Sequence, residues 1–282
     1  MIEDPAFTRL AGLFDVGLLK DAKVLIAGCG SGGSQVALQL AMSGIRDFTL
    51  FDNDTLEIEN VIRHACGRRY LGERKVEAVA DLILDRNPAA SISKRDVDLM
   101  TAPDLTEQIR QSSVVVLATD NDPTRYLINQ LCVELGKPFV TGRVFTRGIG
   151  GEVFAYLPSV TGCLACLEGV LERTKFREGI REIDLVSEEE REKMYGMEIA
   201  EIKDSPGLNI DIAFITCFHT RLVLDTVART LPERPKFLPP LEQNYFVWGN
   251  RPIPPFTKHF ELQKIALSPQ EGCLICGPAN HA

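Results

Sequence analysis

The feature that most limits how this chain can fold is a glycine turn set between two short apolar runs. Val24-Leu25-Ile26-Ala27 is unbroken apolar sequence of strand length, and Gly28-Cys29-Gly30-Ser31-Gly32-Gly33 follows at once. Ser34 to Met42 then reads as a helix, and Phe48-Thr49-Leu50-Phe51 as a second strand ending in Asp52 and Asp54. A short apolar run without polar alternation belongs in a parallel strand covered on both faces. In that context the first glycine, Gly28, permits a tight turn. The second, Gly30, lets the backbone approach a phosphate, and the third, Gly33, lets helix and strand pack closely. The helix N-terminus offers free N–H groups to an anion. Asp52 stands where a carboxylate accepts hydrogen bonds from ribose hydroxyls.

Strands and helices keep alternating beyond this unit. Glu73 to Asp85 reads as a helix with Val76, Val79, Ala80 and Ile83 on one face, and Asp104 to Arg110 as a weaker one. Val114-Val115-Val116-Leu117 is a buried strand, Thr124 to Leu135 a helix, and Pro138 to Gly142 leads into another strand. Such alternation predicts an α/β fold with a Rossmann-like doubly wound sheet, its ligand cleft at the carboxyl ends of the strands. After about Gly148 the pattern changes. Gly151 to Leu157 alternates as an antiparallel strand does, Ile210 to Leu231 reads as a long apolar helix, and strands are expected at Tyr245 to Trp248 and within Phe256 to Leu267. The sheet is therefore expected to be mostly parallel with antiparallel C-terminal strands. The expected organisation is a single domain over 1–282, with a nucleotide-binding part at 1–150 and a second part at 151–282. Residues 1–22 read as a helical lead-in.

The polar residues after the second strand separate two uses of such a turn. Arg63, His64, Arg68, Arg69, Arg74 and Lys75 cluster locally against one acid, Glu73. Hydride transfer needs no cations of this kind along a phosphate chain. Attack on a phosphate does, because negative charge develops on the phosphoryl oxygens and the leaving pyrophosphate. Asp120 falls just past the Val114–Leu117 strand, facing the same cleft, and a lone carboxylate there suits magnesium bound to phosphate oxygens and water. A ribose acid, phosphate cations and a metal acid describe an ATP-using site. No G-x-x-x-x-G-K-[ST] motif is present, so a P-loop does not hold the phosphates.

In combination these motifs resemble the ThiF/MoeB/ubiquitin-activating family of adenylating enzymes. The residues that carry the resemblance are Gly28-Cys29-Gly30-Ser31-Gly32-Gly33, Asp52-Asn53-Asp54, Asn60-Val61-Ile62-Arg63-His64, Gly72-Glu73-Arg74-Lys75 and Thr119-Asp120-Asn121, over about residues 5–170. His64 stands where the family usually has glutamine. The resemblance implies ATP-dependent attack by the C-terminal carboxylate of a small ubiquitin-like or sulfur-carrier protein ending in glycine. The products would be an acyl-adenylate and pyrophosphate. It further implies that Asn60, Arg63 and Lys75 hold the phosphates, that Asp120 holds magnesium, and that Asp54 and Asn121 belong to the nucleotide site. Family members are usually dimers in which an N-terminal arginine reaches the neighbour's ATP, and Arg9 is the candidate here. Three other readings stay open at this point: a relative that adenylates a tRNA base or small peptide, an NAD-dependent oxidoreductase, and a non-catalytic binding module.

The chain has eight cysteines. Cys163/Cys166 and Cys273/Cys276 form two C-x-x-C pairs, and four thiolates suit a closed tetrahedral zinc site, the alternatives being chance or a redox pair. The resemblance implies such a structural zinc tying the C-terminus to the main sheet. It also implies a crossover segment, at 167–208, that carries an acyl-accepting cysteine in many members, yet residues 167–216 contain none. Cys217 lies in an apolar run and is expected to be buried. The net charge of −8 and pI near 5.2 argue against a broad basic surface for nucleic acid. The opening residues MIEDPAFTRL show no secretory signal, and no apolar run reaches membrane-spanning length, so the expected location is the cytoplasm with reduced cysteines.

Overall fold

The computed structural model describes residues 5–10, 12–145, 148–178 and 208–277. Eight strands form one sheet: β1 (Lys23–Ala27), β2 (Asp47–Phe51), β3 (Ser91–Arg95), β4 (Val114–Leu117), β5 (Phe139–Phe145), β6 (Gly150–Tyr156), β7 (Tyr245–Gly249) and β8 (Glu261–Ile265). Their spatial order is β3-β2-β1-β4-β5-β6-β7-β8. The first five are mutually parallel, and β6, β7 and β8 are added antiparallel. The Rossmann-like expectation holds, antiparallel extension included. Order reverses between β1 and β4, so a crevice opens there at the carboxyl ends of the strands.

The helices are α1 (Ser31–Met42), α2 (Lys75–Arg86), α3 (Leu105–Gln111), α4 (Asp122–Glu134), α5 (Leu164–Arg173) and α6 (Asn209–Ala228). On one face α1, α2 and α6 pack over Val24, Ile26, Val114, Val116, Val140 and Val153. On the other, α3, α4 and α5 pack over Leu25, Val115, Leu117, Phe139 and Phe154. Alternate residues of β1 and β4 thus feed two cores, which is why Val24–Ala27 of β1 and all of β4 are apolar. Each such side chain contributes roughly 1.5–3 kcal/mol on burial.

β3 was not legible as a strand. Ser91-Ile92-Ser93-Lys94-Arg95 has one apolar residue, because it is the sheet's edge and is only partly covered. The lead-in resolves into two 3-10 turns, Pro5–Leu10 and Val16–Leu19. Cys217 corrects an expectation: it is exposed. It shares the outer stripe of α6 with Ile210, Phe214 and Arg221, so an apolar run does not mean a buried one when the helix presents one face to solvent. The larger part of the expected crossover segment, 179–207, lies outside the described residues, as does His281. No helix among the described residues is long and apolar enough to cross a membrane.

Candidate active site

The glycine turn occupies the crevice between β1 and β4. Gly28 has φ +98, and a Cβ there would lie 2.9 Å from the Ala118 carbonyl oxygen just past β4. A Cβ on Gly33 would lie 1.8 Å from the Gly28 carbonyl oxygen, so the turn and α1 close onto each other only because both are glycine. Gly30 differs. A Cβ there meets nothing within 4 Å, and Gly30 is an N-cap without a side chain to cap the helix. The first N–H groups of α1 therefore face open space, the arrangement that receives an anion.

Asp52, at the end of β2, folds over this turn. Its carboxylate accepts the Cys29 N–H at 2.7 Å and the Asp54 N–H at 2.9 Å. Burial raises its pKa, while those two N–H groups and the Lys75 charge pull the other way. Each carboxylate oxygen keeps further acceptor capacity for a hydroxyl. Asp54 accepts from Lys75 Nζ at 2.7 Å, and Lys75 N donates to the Asp54 carbonyl at 2.9 Å. Lys75 opens α2 because a small bridge, Thr55 to Arg74, closes the loop between them.

The loop segment 58–66 is bolted to the turn from below. His64 Nδ1 accepts the Cys66 N–H at 3.0 Å, which leaves the proton on Nε2 to donate to the Cys29 carbonyl at 2.7 Å. Burial holds its pKa below the ordinary value, so the ring is a neutral brace under the glycine turn. His64 is thus set apart from the basic cluster read from the sequence by this structural role. The Arg63 carbonyl accepts from Gln35 Nε2 at 3.1 Å and from Asn209 Nδ2 at 3.2 Å. Gln35 Oε1 accepts from Thr216 Oγ1, Thr216 Oγ1 from Gln39 Nε2, and Gln39 Oε1 from Thr220 Oγ1. A polar ladder between α1 and α6 thus ends on the backbone of Arg63. No local signal in the sequence marks this ladder, because its members lie about 180 residues apart. Asn60 Oδ1 is engaged in a capping box with Glu57, so its amide is the end left for an anion.

Across the crevice, β4 ends at Leu117, and Asp120 follows exposed. The cap of α4 is Asn121, whose side chain accepts the Thr124 N–H at 2.9 Å. Asp120 is thus not consumed as a cap, whereas Asn121 is. Beside the turn, Thr119 Oγ1 is buried with no partner. The basic cluster read from sequence separates in space: Arg69 pairs with Tyr70 and Asp81, and Arg74 with Asp96. Arg9 stands exposed on its 3-10 turn, and among the described residues no ion pair links it to the crevice.

The cysteine pairs meet. The four Sγ atoms of Cys163, Cys166, Cys273 and Cys276 lie within 4.8 Å of one another, with Cys163–Cys273 at 3.7 Å and Cys166–Cys276 at 3.4 Å. Sulfurs held about 2.3 Å from one zinc in a tetrahedron lie about 3.8 Å apart, so the donor set fits that metal. Gln270 N–H points at Cys166 Sγ at 3.4 Å, a contact that supports a thiolate. Cys163 is the N-cap of α5, so the first pair opens a helix. Its partner is nevertheless a distant pair and not a redox turn of its own.

The model of the ThiF family matches residues 8–241. The chain belongs to the ThiF family. Among its ThiF relatives, the adenylyltransferase and sulfurtransferase MOCS3-2 of Zea mays is 35% identical over 150 residues, 53% of this chain and 30% of that protein. Ubiquitin-like modifier-activating enzyme 5 of Dictyostelium discoideum is 29% identical over 203 residues, 64% of this chain and 53% of that protein. The match therefore spans under a third of the MOCS3 relative's own length. Among solved structures, E. coli MccB with AMPCPP and MccA superposes with a TM-score of 0.70 at 20% identity, covering 98% of this chain and 75% of that one. That likeness extends the ThiF fold over nearly the whole chain.

Proposed function

We propose that this chain adenylates the C-terminal carboxylate of a ubiquitin-like or sulfur-carrier protein at the expense of ATP. The observation that carries the reading is the uncapped α1 N-terminus and its glycine turn, flanked at the order reversal by Lys75–Asp54 on one side and Asp120 on the other. The names of the sequence relatives support the same activity class. In this reading Gly28, Gly30 and Gly33 let the phosphates approach the turn, Asp52 takes the ribose hydroxyls, and Asn60, Arg63 and Lys75 hold phosphate oxygens. Lys75 exchanges Asp54 for phosphate when ATP arrives. The substrate carboxylate attacks the α-phosphorus, a P–O bond forms, and the bond to the β-phosphate breaks with its electron pair leaving on pyrophosphate. Asp120, a single exposed carboxylate not used as a cap, fits the few-carboxylate donor set of magnesium, which when bound neutralises phosphate charge. Cys163, Cys166, Cys273 and Cys276 would hold zinc in a closed structural site.

The same reading includes a cytoplasmic homodimer with Arg9 supplied to the neighbour's nucleotide. With no cysteine in 167–216, the acyl group would pass from the adenylate directly or to an external thiol. The test is ATP–pyrophosphate exchange with carriers ending in Gly-Gly. Exchange that requires a carrier supports the proposal. Exchange with tRNA or a short peptide alone would move the substrate class, and NAD binding without ATP binding would overturn the reading.

A further inference from the structure

A second group of charges lies beside the crevice on the face covered by α4 and α5, and sequence reasoning did not single it out. Glu152 on β6 is buried and accepts from Arg177 Nη2 at 2.5 Å, Arg177 Nε at 3.2 Å and the Tyr245 hydroxyl at 2.6 Å. Arg177 also donates to Glu168 at 2.8 Å. The contacts at 2.5 and 2.8 Å have the length of strong charge-assisted bonds, and all three guanidinium nitrogens of Arg177 are engaged.

Arg143 belongs to the same cluster but is held differently. Its guanidinium lies 3.4 Å from Asp122, 3.7 Å from Glu152 and 3.9 Å from Glu168, and its side chain is 32% exposed. No contact reaches the usual length of a charge-assisted bond, so redirecting this group forfeits little. Its height in the sheet is also informative. Leu117, the last residue of β4, pairs with Thr141, so Arg143 stands two residues beyond the end of that pairing, past the carboxyl end of β4. Asp122, its nearest acid, is itself two residues from Asp120. Behind it, Arg125 is buried, bonds Thr141 Oγ1 at 3.1 Å and leaves Nε without a partner. Burial, then the Arg143 charge, pulls Arg125 down to about 10.

Adenylation requires a carboxylate to approach a polyanion. The phosphate-side cations, Arg63 and Lys75, come from the β2–α2 side of the crevice, and Arg143 rises on the opposite, β5 side. We propose that Arg143 is the substrate-side cation, leaving Asp122 to bind the incoming C-terminal carboxylate and turn it toward the α-phosphate. This rests on the adenylation reading. Arg143 makes or breaks no bond in the step; it positions the attacking oxygen.

The probe is a heptapeptide ending in Gly-Gly, as the free acid and as the C-terminal amide, titrated into the full chain loaded with magnesium and AMPCPP. The wild type is expected to prefer the acid by about tenfold. Arg143→Gln is expected to lose that preference while its affinity for AMPCPP stays within about twofold, and Arg143→Lys to keep part of it. Asp122→Asn, which releases Arg143, is expected to strengthen acid binding several-fold, an arm that stands even if Arg143→Gln does not fold. No acid preference in the nucleotide-loaded wild type, or an undiminished one in Arg143→Gln, overturns the proposal and leaves ATP use intact. Failure of the wild type to bind AMPCPP overturns the adenylation reading and the proposal with it.

Discussion

At Lys75 and Asp54 the ion pair is one contact of 2.7 Å, with the Lys75 side chain 11% exposed and that of Asp54 61% exposed. At Arg177 and Glu152 both side chains are almost wholly buried, two guanidinium nitrogens engage the carboxylate, and a tyrosine hydroxyl completes it. The two pairs use the same chemistry for different ends. A buried pair that loses one member leaves a charge without solvent or partner, so it holds structure. A pair whose acid stands in solvent contributes little, roughly 0–1 kcal/mol, because Asp54 keeps its water when Lys75 turns to a ligand.

The largest effect that could break this contrast is at the buried pair. Arg177→Leu is expected to cost about 3–5 kcal/mol in urea unfolding, since Glu152 is then buried and alone. A cost under 1 kcal/mol would place the pair with the exposed ones. Burial works to raise the Glu152 pKa, but the Arg177 and Arg143 charges outweigh it and hold the carboxyl below its ordinary range. That contribution is present at neutral pH and is lost on acidification through the depressed pKa.

Next is the cysteine cluster. Cys163→Ser is expected to lower metal content and the unfolding midpoint together, by several degrees. A protein that loses zinc and keeps its midpoint would refute the structural role.

His219 gives an effect of similar size with pH as the variable. Burial lowers it from 6.5 to about 4, and its Nε2 lies 2.9 Å from the Val140 carbonyl. The unfolded chain binds this proton first, so stability falls as pH drops from about 6.5 toward 4, by roughly 3 kcal/mol, and levels off below. His219→Gln should flatten that slope in unfolding measured against pH. His64, also lowered, adds in the same direction.

The smallest effect sharpens the exposed side. Gln35→Ala removes one of two donors to the Arg63 carbonyl and is expected to raise KM for ATP several-fold, about 1 kcal/mol, with kcat nearly unchanged. Gln35→Glu, which keeps the shape but offers no N–H, should behave the same way.

What could be read without coordinates follows from how far apart the cooperating residues lie. The glycine turn, Asp52, Asp54 and Lys75 sit within 48 residues on one βαβ unit, so spacing alone assembled them. β4 was legible to the residue because its apolar run feeds both cores. β3 was not, being a polar edge. Nor was the ladder from Thr220 to Arg63, or the Arg177–Glu152 cluster, whose members come from strands and helices that only the folded sheet brings together. His64 counts among the basic residues in the sequence, and only the fold supplies the Cys29 carbonyl that makes it a neutral brace.

The central claim is that the charged groups around the glycine turn, Lys75, Arg63 and Asp120 among them, mark an ATP site and not a dinucleotide one. The most direct test is calorimetric titration of the full chain, wild type and Lys75→Ala, with magnesium-ATP and with NAD. The account predicts ATP binding that weakens at least about tenfold in Lys75→Ala, an unchanged unfolding midpoint and no NAD binding. NAD binding without ATP binding, or ATP binding indifferent to Lys75, would contradict it.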